Sequence, residues 1–188
     1  MWTPRIIDVL EGFGVRGTFF VVGERADRAR DVVSALATAG HEVANHSWSH
    51  RSLWFCGPQR TSSEIARCHD LLGELTGAAP RYFRPPWGMV NAAMFGVLRR
   101  LDERCVFWSI QPEGLRPQSA DDQVASVVRR ARAGAIVDLH DAEGVTGAPG
   151  RLVDALPPMI AALREAGYDL VPLRELLVTP PAAPRRSA

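Results

Sequence analysis

The chain has 188 residues, 46% of them hydrophobic and 23% charged, which is the make-up of an ordinary globular domain with enough length to bury a core. Net charge is +1, so no overall field draws the chain toward nucleic acid or an anionic membrane, and neither is expected as a partner. No apolar run approaches the ~20 residues of a membrane span, and no charged start followed by an apolar stretch marks a signal peptide.

In chain order, helical patterns fall at about 3–11, 25–39, 60–76, 91–103, 119–132 and 150–166. Between and after them lie short runs with strand character, many rich in β-branched or aromatic residues, at 17–22, 41–45, 82–84, 105–110, 135–140 and 169–172. Gly12, Gly40, Gly77, Gly134 and Gly167 stand where helices should end, and Asn91 and Ser119 where helices should begin. Residues 179–188, "TPPAAPRRSA", read as a disordered Pro/Ala/Arg tail, leaving 1–178 as one domain. Alternating strands and helices predict a parallel sheet covered by helices, either open or closed into a barrel. Such a fold ordinarily opens on a strand. Here the first element is a helix, so either the fold starts unusually or its first strand is missing from this chain. Cys56, Cys68 and Cys105 suit neither a disulfide framework nor a sulfur-ligated zinc site. Free thiols are expected, a Cys56–Cys68 bridge being the alternative.

Three groups of chemically capable residues fall where strands end, the side on which parallel α/β folds build their sites. "NHSWSH" at 45–50 places His46 and His50 four apart, either as a metal-gripping pair or as two polar side chains. "FRPPWG" at 83–88 supplies Arg84, read either as a functional cation or as a surface one, and a rigid Pro85-Pro86 turn. "IVDLHD" at 136–141 ends on His140, a candidate general acid or a hydrogen-bonded strand-end histidine. Residues two apart on a strand share a face, so Asp138 should lie beside His140, orienting it, or else be tied to an arginine. Asp141 would point the other way and cap the next turn. Trp48, Trp54 and Trp108 either pack or line a groove, and Glu143 lies close to the rim.

These segments, with "GVRGTFFVVGERA", "AGHEVANHSWSH", "FWSIQPEGLRP" and "GAIVDLHD", resemble the polysaccharide deacetylase family, the NodB-homology domains of carbohydrate esterase family 4, in the family's order. The resemblance implies a deformed (β/α) barrel and a hydrolase acting on carbon–nitrogen bonds other than peptides. The substrate it implies is the N-acetyl amide of an N-acetylated glycan, peptidoglycan or chitin-like. It further implies a divalent metal, zinc in most members, held by one Asp and two His. His46 and His50 match those histidines, His140 the general acid, and Arg84 the arginine that orients the catalytic carboxylate. Pro86, Trp87, Gly88 and Leu139 match substrate-contacting positions, the Trp87 N–H among the donors to the developing oxyanion.

Two departures qualify this. The family's TFDDGP-like element carries the base and the third metal ligand, both Asp, and this chain has no such run. A poor or inactive hydrolase follows, through a misplaced start or a true truncation, and a secreted or envelope location would then depend on an upstream segment. In "FWSIQPEGLRP", Gln111, Gly114 and Leu115 stand where many relatives have two aspartates and a tryptophan. Asp138 is the expected replacement for the aspartate that supports the acid histidine. The competing expectations are a hydrolase of non-glycan amides or imides on the same fold, and an inactive paralogue that binds a glycan or partner.

Overall fold

The structure, a computed structural model, describes residues 2–113, 117–142 and 146–177. Gly114, Leu115, Glu143 and the tail at 179–188 lie outside the described residues. The element order is α1 (Thr3–Gly12), β1 (Thr18–Val21), α2 (Gly23–Arg28), α3 (Arg30–Thr38), β2 (Glu42–Asn45), α4 (Pro58–Thr76), β3 (Tyr82–Phe83), α5 (Ala92–Leu101), β4 (Arg104–Cys105), α6 (Ala120–Arg130), α7 (Ala148–Glu165) and α8 (Leu173–Leu176). Two short 3-10 turns, Leu53–Phe55 and Pro86–Gly88, complete it. Contacts divide the chain into two compact units, residues 18–107 and residues 1–17 with 108–188.

In the first unit β1 to β4 form a parallel sheet in the order β1-β2-β3-β4, without the reversal that marks doubly wound sheets. Sequential order is what successive strand–helix crossovers of one sense generate. β1 and β2 pair over four residues, from Thr18 opposite Glu42 to Val21 opposite Asn45, and the Thr18 hydroxyl donates to Glu42 at 2.7 Å. β3 and β4 are only two residues long, yet Phe83 is completely buried. α4 explains the burial on one side. Its inward stripe is Thr61, Glu64, Ile65, Cys68, Leu71 and Leu72, spaced for one helical face. Cys68, Leu71 and Leu72 pack with Ala26 and Val33, whereas Leu53, Ile65 and Phe83 pack with Met94, Val97 and Leu98 of α5.

The second unit has a core of Ile110, Val127, Ala155, Met159 and Leu163, assembled mainly by α6 against α7. Ile110 and Val137 form a single parallel bridge. Among the described residues the ladder does not close into a barrel.

Several expected elements differ. The helix at 25–39 is two helices, broken at Ala29 (φ −140°, ψ 51°), where Arg30 turns back to pair with Asp27 at 3.1 Å. The strand expected at 105–110 shifts to Arg104–Cys105, and the one at 135–140 shrinks to the Val137 bridge. The cause of the latter is Ser109. Its hydroxyl accepts from the Ile136 N–H at 3.0 Å, diverting that donor to a side chain, while the Ile136 carbonyl still accepts from the Ser109 and Ile110 N–H groups. No strand forms at 169–172, because Pro172 has no N–H to donate and instead becomes the N-cap of α8. α1 runs through Gly12, and the left-handed turn that stops it comes at Gly14 (φ 61°). Gly77 does end α4 in the left-handed conformation. Asn91 and Ser119 accept the N–H of Met94 and Asp122 as N-caps. The three cysteines are free thiols. Asp141, expected to cap a turn, instead accepts the Thr3 hydroxyl at 2.6 Å.

Candidate functional site

The carboxyl ends of β1, β2 and β3 step past one another by backbone bonds. His46 N–H donates to the Val21 carbonyl, and Arg84 N–H to the Asn45 carbonyl, each at 3.0 Å. His46 and Arg84 are thus the first residues beyond neighbouring strands of one sheet.

The histidine turn is fixed along its length. The Asn45 side chain accepts from Ser47 N–H at 3.0 Å, and the Ser47 hydroxyl accepts from His50 N–H at 3.2 Å. The carbonyls of Ser47 and Trp48 accept from the N–H groups of Gly23 and Glu24. A Cβ at Gly23 would stand 2.6 Å from Cε3 of Trp48, so only glycine permits this approach. The Arg67 guanidinium lies 3.5 Å above the Trp48 ring. Ser49 donates its N–H (2.8 Å) and hydroxyl to Glu64, which is 2% exposed and also pairs with Arg60. Ser47 and His50 have φ of 64° and 56°, a left-handed conformation costly for non-glycine residues that persists only where surroundings impose it.

The result is two imidazoles with centroids 4.9 Å apart and planes at 70°. His46 Nδ1 lies 2.7 Å from the Arg84 carbonyl oxygen, which can only accept. The ring proton therefore sits on Nδ1 and the lone pair on Nε2, the tautomer that a metal ligand needs. Arg84 is 7% exposed, with its guanidinium 4.1 Å from the Phe20 ring, so it is no surface cation. Pro86 is buried; Trp87 is 68% exposed, with φ 60° and its ring 5.2 Å from that of His50. The Pro86–Gly88 turn uses the N–H groups of Gly88 and Met89, bonded to Pro85 and Pro86, and not that of Trp87.

Two neutral imidazole nitrogens on adjacent rings suit a borderline divalent ion such as zinc. Among the described residues no group of three or more His, Cys, Asp or Glu converges to hold one. The donor set fits as a pair and stops there.

In the other unit, His140 Nε2 lies 3.7 Å from Asp138 Oδ2, within ion-pair range but too long for a hydrogen bond. His140 is about half exposed and Asp138 buried, the shared facing expected of alternate residues. Leu139 packs against the core around Ile110 and Val127. Gln111 accepts the Trp108 indole N–H at 3.1 Å.

Residue-by-residue reading passed over the buried polar residues behind the turn. Asn45 donates to the Ile65 carbonyl (3.0 Å) and to Oε1 of Glu103 (2.9 Å), which also meets His69 Nδ1 at 2.7 Å. Burial pushes the Glu103 carboxyl up to about 7, against the opposing pull of Asn45 and His69. One signal was available: Glu64 stands within the apolar stripe of α4, where a carboxylate needs a buried partner.

A family model described as polysaccharide deacetylase matches residues 1–106. The chain belongs to the polysaccharide deacetylase family. A chitooligosaccharide deacetylase of Bradyrhizobium is 32% identical over 93% of this chain and 84% of its own length. A peptidoglycan-N-acetylglucosamine deacetylase of Bacillus cereus is 29% identical over 95% of this chain, which spans 64% of that relative's length. Among solved members, a peptidoglycan N-acetylglucosamine deacetylase superposes with TM-score 0.89 at 28% identity, over 97% of this chain and 84% of that one. A pseudoenzyme of the same esterase family from Bacillus anthracis shares the fold, with TM-score 0.85 at 24% identity, over 94% of this chain and 60% of that one. The fold thus accommodates turnover and its absence alike.

Proposed function

We propose that this chain serves the metal-dependent hydrolysis of N-acetyl groups on an N-acetylated glycan, peptidoglycan or chitin-like, with His46 and His50 holding a divalent ion, zinc by preference. The observation that carries this reading is the pair of adjacent imidazoles with the His46 tautomer set by the Arg84 carbonyl. When bound, the ion polarises an acyl oxygen and acidifies a water. The chain's own residues do the rest. Arg84 fixes the ring of His46 through its backbone. Trp87 offers its N–H to the oxygen that gains charge, and its exposed indole gives a sugar ring an apolar face to rest on. Amide cleavage ends with a proton on the departing nitrogen, which His140 supplies while Asp138 orients the imidazole.

A second reading, glycan binding without turnover, is favoured by one observation: the described residues bring only two ligands together. Two imidazoles hold an ion weakly, and activation of water also needs a base. One experiment separates the two. Zinc content and affinity are measured for the purified protein and for His46→Ala and His50→Ala, alongside acetate release from acetylated chito-oligomers and from peptidoglycan. Zinc binding lost in both variants, with acetate release that depends on zinc, supports the hydrolase. Zinc affinity unchanged in both variants overturns the ligand assignment. Zinc binding without acetate release selects the binding protein.

A further inference from the structure

We propose that Glu103 is a positioning residue for the metal pair, acting through Asn45 on the turn that carries His46 and His50. The proposal rests on the reading of those two histidines as ligands and adds what keeps them in register. Glu103 precedes β4, is 5% exposed and lies 58 positions from Asn45 in sequence, so its contact is a product of the fold and not of the turn.

The relay has three links. Oε1 of Glu103 accepts one Asn45 amide proton at 2.9 Å, while the other goes to the Ile65 carbonyl at 3.0 Å. With both donors held, the Asn45 amide cannot rotate, and its oxygen points at Ser47 N–H, 3.0 Å away. That bond holds Ser47 at its left-handed φ of 64°, and the Ser47 hydroxyl then takes the His50 N–H at 3.2 Å. Each link spends a directional donor on one acceptor, so the carboxyl oxygen behind β2 fixes a backbone N–H of the second histidine. His69, 2.7 Å from the same oxygen, holds Glu103 in turn. Oε2 of Glu103 is buried without a hydrogen-bond partner, a costly arrangement that packing alone does not require.

The relay needs an acceptor oxygen at this position and not a charge. Glu103→Gln keeps that oxygen, and Glu103→Leu removes it at similar volume. The test measures zinc affinity of the metal-free protein by competition with a chromophoric chelator, together with thermal unfolding and amide hydrogen exchange at Ser47 and His50. Glu103→Leu is expected to weaken zinc about tenfold, the low end for groups that orient metal ligands, and to speed exchange at both amides. Glu103→Gln is expected to stay within about threefold of the parent protein by the same scale. Met159→Ala, a core change in the other unit, serves as control: it should lower the melting temperature and leave zinc affinity unchanged. If Glu103→Leu does not fold, Glu103→Ala replaces it, because its cavity admits water to the Asn45 amide; the same weakening is expected.

Zinc affinity unmoved in Glu103→Leu or Glu103→Ala, while His46→Ala and His50→Ala abolish binding, overturns the positioning role and leaves the ligand pair intact. Affinity unmoved in the histidine variants as well overturns the ligand reading itself. Equal losses in Glu103→Gln and Glu103→Leu overturn the acceptor relay, because charge would then be the operative property. A loss in Met159→Ala matching that in Glu103→Leu reduces the effect to general destabilisation and also overturns it.

Discussion

Replacing Glu103 by glutamine should stabilise the protein by an amount that grows as pH rises from about 4.5 to 7 and is complete above that. The carboxyl lies inside the fold, and burial outweighs the bonds from Asn45 and His69, lifting it from an unperturbed 4.5 to about 7. Between those values the folded protein retains a proton that the unfolded chain has released. Stability therefore falls as pH rises through this window, is at its fullest below 4.5, and levels off above 7. At 1.36 kcal/mol per pH unit the whole effect is roughly 3 kcal/mol. Glutamine is a permanently neutral stand-in for the protonated acid. Denaturant unfolding at pH 4 should give the two proteins nearly equal stability; at pH 8 the Glu103→Gln protein should be more stable by up to about 3 kcal/mol. Taking the difference between the proteins cancels every other group that titrates in both. If the parent protein is the more stable at pH 8, the ion pair with His69 outweighs desolvation, and the reasoning fails.

Gly23→Ala should destabilise the fold by about 1–3 kcal/mol through overpacking and weaken zinc binding together. The added methyl meets Trp48 at its ring (2.6 Å) and its Cα (3.2 Å), so the turn itself has to move. Denaturant unfolding and chelator competition read the two effects, and an unchanged value in both would refute the close approach. Asp138→Asn should slow acetate release, because the carboxylate 3.7 Å from the His140 ring no longer helps to orient it. A rate of acetate release equal to the parent protein's would refute that positioning role.

The elements that carry the site were legible where periodicity and punctuation agreed. α4 shows its inward stripe from Thr61 to Leu72, β1 is a compact run between Gly17 and Gly23, and β2 begins just after Gly40. The strand expected at 135–140 is cut short where the Ser109 hydroxyl takes the Ile136 N–H, a choice made by a residue 27 positions away. The same limit applies to the site. His46, His50, Arg84 and Trp87 are visible as motifs since each sits in a local pattern. The role of Arg84 as a backbone acceptor for His46 is invisible, because carbonyl positions leave no trace in residue identity. Asn45, Glu103 and His69 come from three separate segments, and their meeting is set by tertiary packing alone.

The six residues "NHSWSH" would therefore not transplant. Moved into a loop of another scaffold, the hexapeptide would bring both imidazoles and leave behind the parts that aim them: the glycine that opens α2, two acidic side chains and the carbonyl that ends β3's neighbourhood at Arg84. Freed from these, Ser47 and His50 would relax out of their left-handed backbone and the rings would part. The binding unit is a cross-section through five chain segments, and a graft that succeeds has to carry all five.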